Sequence, residues 1–373
     1  MKTKNKLLVV LMALVVVVLI GFLITINSGT TGLFSLNKKE YIEVGYISAL
    51  SGDAGIWGQS LKKGFDFAVE EINSKGGING KLIKPVFEDD MCDPKTGINA
   101  YTKIIEADNV KIITGTVCSS VALSVAPITQ ENRVLYLASG ATHPDVTKQG
   151  DLIFRVWVSD AYEARAVTEY AINNLGVNSF GIIYMNDTPS GVSVKDTIEK
   201  VVAENNKTIT IEEGFLSDTK DFKSIATKVI ANNPEAIYIM STPENMPLII
   251  NELKTLNYNG KIFVYGPSIL SEGTLAKIND KTNIYYPLPI TKQETDFWSN
   301  YKQKTGTEAD IIVAGGYDSM ILIADGLKEC GEDNDCIRNY WLSLEDYKTT
   351  RGDVSFDKER EITGVEYEIK ELN

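Results

Sequence analysis

From Ile42 onward, short apolar runs alternate with stretches whose apolar residues fall on one side. Val44–Ala49 reads as a strand. Across Ser60–Asn73, residues Leu61, Phe65, Ala68, Val69 and Ile72 recur at the 3.6-residue period of a helix with one buried face. Gly76-Gly77 breaks the chain, and Leu82–Glu88 is extended again. Asp93-Pro94 predicts a helix start: Asp accepts from the free N–H groups of a first turn, and Pro suits its first position. Val110–Thr114 and Val134–Ala138 are apolar throughout, as parallel strands covered on both faces are. After Trp157 the rhythm restarts. Phe180–Met185, Ala236–Met240 and Lys261–Tyr265 predict strands, with helical stretches near Gly191–Asn205, Phe222–Asn232 and Met246–Leu256. Ile311–Lys328 is a later amphipathic helix, and Val354–Leu372 alternates like edge strands.

Repeated βα units predict parallel, doubly wound α/β sheets. One sheet would need too many strands, so two Rossmann-like lobes is the economical reading. Ligands of open α/β sheets sit outside the carboxyl ends of the strands. In the first half those loops are Ser51–Trp57, Thr116–Ser120 and Ser139–Thr142. In the second they are Asn186–Ser190, Ser241–Asn245 and Gly266–Ser271. All six are rich in Ser, Thr and Gly, which suits binding by hydroxyls and by backbone groups at helix starts.

The first 26 residues follow a different pattern. Lys2, Lys4 and Lys6 precede an uncharged run from Leu7 to Ile26. Such a run spans a hydrocarbon core of about 30 Å at about 1.5 Å per residue. A secretory h-region is shorter, about 7–15 residues, and ends in a small-residue cleavage site that is not evident here. The expectation is an uncleaved membrane anchor, with a cleaved signal peptide as the alternative. The lysines put the N-terminus inside and everything after Ile26 outside. Residues 27–40 then form a linker.

The chain has 373 residues and a net charge of −13. That balance argues against a nucleic-acid partner, which needs a basic face. Four cysteines in an exported chain suggest two disulfides. Cys92 and Cys118 each follow a strand-like segment, and Cys330 and Cys336 enclose an acidic loop. Of the three possible pairings we expect 92–118 with 330–336. Metal binding at Cys330 and Cys336 finds no support in a chain with one histidine and no C-x-x-C pair.

Chemistry-bearing motifs are sparse. Gly52, Gly55 and Gly58 lack the G-x-G start of a dinucleotide fingerprint, and Leu82 after Gly80-Lys81 breaks the phosphate-loop pattern. Trp57, set among those glycines, suits the wall of a ligand cleft or packing within its own lobe. Ser119 and Ser120 open a helix and suit either capping or the grip of a carboxylate. Gly140, Ala141 and Thr142 follow a buried strand, where small residues admit a ligand to the main chain. His143 precedes Pro144 with no nucleophile elbow in the chain, and the neighbouring Asp89 and Asp90 point apart on a strand end, so they are expected to be solvated or capping. No enzyme, cofactor or metal is expected.

At these residues the chain resembles the leucine/isoleucine/valine-binding proteins, the type I periplasmic binding proteins that feed branched-chain amino acid ABC transporters. The likeness runs from about Ile42 to the C-terminus. It is carried by Leu50-Ser51-Gly52, Trp57-Gly58, NSKGGI at 73–78, DDMCDPK at 89–95, CSS at 118–120, GATHP at 140–144, KDF at 220–222 and VSFD at 354–357. It implies two lobes joined by three crossing strands, residues 42–158 plus 290–348 and residues 159–289 plus 349–373. It also implies a Cys92–Cys118 bridge, a permease partner and a monomer outside the membrane. A sensor that passes its closed form to a signalling partner shares the fold and is the alternative.

By the same resemblance, Ser119, Gly140 and Thr142 grip a ligand's α-carboxylate and α-ammonium, and Trp57 lies beside its side chain. The second lobe departs from the pattern. Ser190 stands where the family tends to place an aromatic residue, and Ser268 where branched-chain binders carry an acid. Related proteins bind amides, urea and aromatic acids. Asp187 and Glu244 are the candidates to replace the acid, and Thr242 is a further polar candidate on that side.

Overall fold

Two parallel sheets organise the chain. The structure, a computed structural model, describes residues 40–271, 273–289 and 296–372. The expected anchor and most of the linker lie outside them. No helix among the described residues is long and apolar enough to cross a membrane.

The first sheet holds β1 (Tyr41–Ser48), β2 (Leu82–Asp89), β3 (Ile112–Gly115), β4 (Leu135–Ala138) and β5 (Ile153–Arg155), in the order β2-β1-β3-β4-β5. All its pairings are parallel. Every residue of β3 and β4 is buried, the outcome that their unbroken apolar runs require. Helices α1 (Gly55–Ser74), α2 (Pro94–Glu106) and α3 (Ser119–Glu131) connect these strands. Asp93 accepts from the Thr96 N–H with Pro94 in the first turn, the cap that the sequence predicted.

The second sheet contains β6 (Ser179–Met185), β7 (Thr208–Phe215), β8 (Ala236–Met240), β9 (Lys261–Val264), β10 (Ile284–Pro289) and β14 (Tyr367–Glu371). Its order is β14-β10-β9-β8-β6-β7, and only β14 runs antiparallel to its neighbour. Its helices are α4 (Asp160–Leu175), α5 (Pro189–Glu204), α6 (Lys223–Asn232), α7 (Asn245–Thr255) and the single turn α8 (Gly266–Ile269). A core built on Phe180, Ile183, Ile198, Ile239 and Ile262 belongs to this sheet.

The last helices, α9 (Phe297–Thr305), α10 (Ile311–Cys330) and α11 (Asn334–Leu342), return to the first sheet. Helices α1 and α10 cross closely because glycines meet backbone at the crossing. A Cβ on Gly64 would lie 1.8 Å from the Val313 carbonyl oxygen, and one on Gly316 would lie 1.9 Å from that of Leu61.

Two expectations change. Helix α1 begins at Gly55 rather than Ser60, so the glycine-rich segment is partly helical. Gly58 allows this, since a Cβ there would lie 1.9 Å from the Ala49 carbonyl oxygen. The tail 349–373 also divides instead of joining the second lobe whole. Strands β11 (Tyr347–Thr349), β12 (Gly352–Phe356) and β13 (Ile362–Thr363) form a small antiparallel sheet on the first core. Phe356 packs edge-on against Phe154 at 5.3 Å between ring centroids, and buried Arg155 pairs with Glu361. Only β14 reaches the second sheet.

Candidate functional site

A cavity of about 310 Å³ lies between the carboxyl ends of the two sheets. Its first wall comes from the segments that follow β1, β3 and β4, through Trp57, Ser119, Gly140 and Thr142. Its second wall comes from the ends of β6, β8 and β9, through Met185, Ser190, Met240, Thr242 and Tyr265. Each loop that the topological rule selected contributes a residue to this cavity.

Ser119 is the first residue of α3, but it does not cap that helix. Its Oγ accepts the Thr142 and His143 N–H groups, each at 3.1 Å, and lies 2.8 Å from Ser190 Oγ on the opposite wall. Thr142 Oγ1 lies 3.4 Å from the same Ser190 hydroxyl. Trp57 also crosses the cleft, its Nε1–H shared between Ser271 Oγ at 3.0 Å and the Pro267 carbonyl at 3.3 Å. At the rim, Lys220 pairs with Glu244 at 3.1 Å and reaches Asp53 at 3.7 Å. All three side chains are about half exposed, so this link is weak in water.

The Cys92–Cys118 disulfide fixes the start of α3, with 5.5 Å between Cα atoms, and both cysteines line the cavity. Met91 and Cys92 hold left-handed φ values of 53° and 59°, a conformation that residues with side chains seldom adopt. Cys330–Cys336 joins α10 to the start of α11, away from the cavity. Both pairings agree with the sequence reading.

Acidic groups sit behind the cavity wall. Asp160 opens α4 and is 1% exposed, with its N–H bound to the Thr142 carbonyl at 3.0 Å. Burial raises its pKa; the nearby hydroxyls of Thr142, Ser190 and Tyr265 oppose that shift. Glu163, one turn later, accepts the Gly266 N–H at 2.9 Å, and burial pushes its carboxyl up to about 8. Asp90 is fully buried rather than solvated, its Oδ1 accepts the Cys92 N–H at 2.8 Å, and burial pushes it up to about 6. Its neighbour Asp89 does cap, accepting the Leu50 and Met91 N–H groups and the Ser51 hydroxyl. His143 is drawn down by burial, and its Nδ1 accepts the Asp145 N–H. Among the described residues no group of three or more His, Cys, Asp and Glu side chains is placed to hold a metal.

Of the residues singled out in the sequence, Trp57, Ser119, Gly140, Thr142, Ser190 and Thr242 share the cavity. Ala141, Asp187 and Ser268 do not line it. Ala141 is buried and its carbonyl accepts from Arg155 at 3.4 Å. Asp187 is exposed and binds the Ser217 N–H and hydroxyl, while the Ser268 hydroxyl donates to the Ser241 carbonyl. Glu244 stays on the rim. The sequence reading missed Trp157, Met185, Met240 and Tyr265 on the cavity wall, and Asp160 behind it. Met185 and Met240 are the last residues of predicted strands, so the topological rule could have reached them had it been applied to strand ends as well as loops.

This geometry defines a two-lobed α/β protein with a hydroxyl-lined cleft at the sheet ends. A family model described as periplasmic binding protein matches residues 41–364, and the chain belongs to that family. It is 23% identical over 343 residues to the leucine-, isoleucine-, valine-, threonine-, and alanine-binding protein of Pseudomonas aeruginosa, covering 88% of this chain and 89% of that one. It is similar in structure to the branched-chain amino acid transporter substrate-binding protein LivJ of Streptococcus pneumoniae, solved with isoleucine. There the TM-score is 0.80 at 20% identity, covering 89% of this chain and 100% of that one. A benzoate-bound solute-binding protein of an ABC transporter from R. palustris gives a TM-score of 0.81 at 17% identity, with 89% and 93% covered. The resemblance read from the motifs is borne out at the level of the family.

Proposed function

We propose that this chain is the extracytoplasmic substrate-binding component of an ABC transporter, which captures a small amino-acid-like ligand between two lobes and hands it to a permease. The observation that carries this reading is the convergence of Ser119 and Thr142 from one wall with Ser190 and Thr242 from the other on a single cavity. Each wall supplies half a site, so a ligand favours the closed arrangement by its differential contacts there. A ligand carboxylate is held by the free N–H groups at the start of α3, a thirteen-residue helix. Trp57, Trp157, Met185 and Met240 surround its apolar part.

In this reading the protein acts as a monomer, and Leu7–Ile26 tethers it to the membrane. Calorimetry against amino acids, amides and aromatic acids tests the binding role. Saturable one-to-one binding of a member of these classes is expected, and a failure of all of them to bind overturns the proposal. Membrane fractionation of the mature chain tests the tether separately: recovery of soluble protein starting beyond Ile26 removes it.

A further inference from the structure

We infer that the Cys92–Cys118 disulfide is a redox-active site which a thiol reaches through the ligand cleft, and that its reduction lowers affinity for the solute. This inference rests on the solute-binding reading above.

Both cysteines line the cavity, and Cys92 is partly exposed, so the bond faces the space that the ligand enters. Cys118 is the N-cap of α3, a thirteen-residue helix. A thiolate at that position is stabilised by the free N–H groups and the positive end of the helix, which makes it a good leaving group. The other disulfide lacks this arrangement. Cys330 is the last residue of α10, at the negative end of its helix, and its bond lies away from the cavity.

The exposure of Cys92 and the position of Cys118 set the direction of exchange. An entering thiolate bonds to Cys92 Sγ, the Cys92–Cys118 bond breaks, and its electron pair leaves on Cys118 Sγ. A second thiol attacks the mixed disulfide, which releases the reductant as its own disulfide and frees Cys92. The two thiols supply both electrons. Their protons end on Cys92 and on Cys118, or in solvent while Cys118 stays ionised.

The consequence for binding follows from what the bond ties down. Met91 and Cys92 hold left-handed φ values of 53° and 59°, kept there by the bond to Cys118 and by Asp89 and Asp90, which accept their N–H groups. On the other side of the bond, Ser119 directly follows Cys118 and meets Ser190 at 2.8 Å. Opening the bond releases the start of α3 from the loop after β2, and with it the hydroxyl that joins the two walls. A ligand in the closed cleft covers both sulfurs and so slows attack. Because the ligand favours the oxidised form, it also makes the bond harder to reduce, by the factor by which reduction weakens binding.

The test uses the full chain with Cys330→Ala and Cys336→Ala, so that one disulfide remains; this variant should keep the parent affinity. Dithiothreitol and reduced glutathione are the reductants, free thiols are counted by alkylation and mass, and circular dichroism follows the fold. Calorimetry of the oxidised and reduced forms uses the proteinogenic amino acids, acetamide and benzoate as probes. The reduced, folded protein should bind the tightest of these at least about tenfold more weakly, and reoxidation should restore the affinity. A saturating amount of that compound should slow reduction about tenfold. Cys92→Ala with Cys118→Ala should reproduce the reduced affinity without any reductant. Unchanged affinity in a folded reduced protein, a bond that neither thiol opens, loss of the fold on reduction, or reduction at the same rate with the cleft filled overturns the inference and leaves the solute-binding reading in place. An oxidised protein that binds nothing in the panel removes both.

Discussion

Ser119 Oγ and Ser190 Oγ, 71 residues apart in the chain, meet across the cleft at 2.8 Å. A serine hydroxyl has one proton to donate and two lone pairs. The lone pairs of Ser119 take the Thr142 and His143 N–H groups, so its proton goes to Ser190. Ser119 thus serves as the knot that holds the start of α3, the loop after β4 and the start of α5 together. The proton on Ser190 remains available to Thr142, Asp160 or a ligand.

Ser119→Ala should therefore lower stability and affinity together. It leaves the buried Thr142 N–H and the part-buried His143 N–H without an acceptor, at about 1–3 kcal/mol for the buried one before relaxation. Thr142→Ala removes a hydroxyl whose hydrogen-bond contact is 3.4 Å long, so its melting temperature should hardly move while affinity falls about 10- to 100-fold. Paired melting curves and titrations of the two variants separate these roles. Unchanged stability in Ser119→Ala would show that its contacts contribute little.

Trp57→Phe keeps an aromatic wall but deletes the N–H that reaches Ser271 and Pro267. One neutral hydrogen bond is worth about 0.5–1.5 kcal/mol, so affinity should fall about 2- to 12-fold. Because the bond forms only across the cleft, the change should appear in ligand release, measured by stopped-flow fluorescence. A slower association with normal release would contradict this.

Asp318 on α10 pairs with Arg351 at 2.9 Å, both nearly fully buried, and the guanidinium lies 4.8 Å from the centre of the Trp157 ring. Asp318→Ala leaves a buried arginine without its partner, which typically destabilises by about 3–5 kcal/mol. Denaturant unfolding should show a loss of that order. A loss below about 1 kcal/mol would mean that water reaches Arg351 and supplies the missing partner.

The part of the stability that depends on Glu163 should fall as pH rises from about 5 to 8, against an opposite contribution from His143, whose pKa burial lowers. Burial raises Glu163 to about 8, with Asp160, Tyr238 and Tyr367 facing it. In the unfolded chain a glutamate titrates near about 4.3, so between these values the folded state binds the extra proton and loses stability as pH increases. Asp90, raised by burial to about 6, acts in the same direction at the lower end of that window. Glu163→Gln should flatten the slope between about pH 6 and 8, read from melting temperatures across that range. A slope of the same size in the variant would assign the effect to another group.

The sequence by itself determined the features that depend on neighbours along the chain. The unbroken apolar runs of β3 and β4 mark strands covered on both faces, Asp93-Pro94 marks a helix start, and the loops after the strands mark the cleft. The ordered motifs identified the family, and with it the Cys92–Cys118 bridge. Tertiary structure alone decided how identical chemical groups are used. Ser119, Ser190 and Ser268 carry the same hydroxyl, yet the first two meet across the cleft while the third donates to a carbonyl beneath it. Asp187 is solvated and Asp160 is sealed behind the wall, although each follows the same kind of strand-to-helix passage. The tail divides between a small sheet on the first core and the edge of the second sheet, and its first part is tied down by Glu361, which pairs with Arg155 of β5. Hydrogen bonding and burial depend on which distant segments the fold brings together, and local spacing carries no record of that.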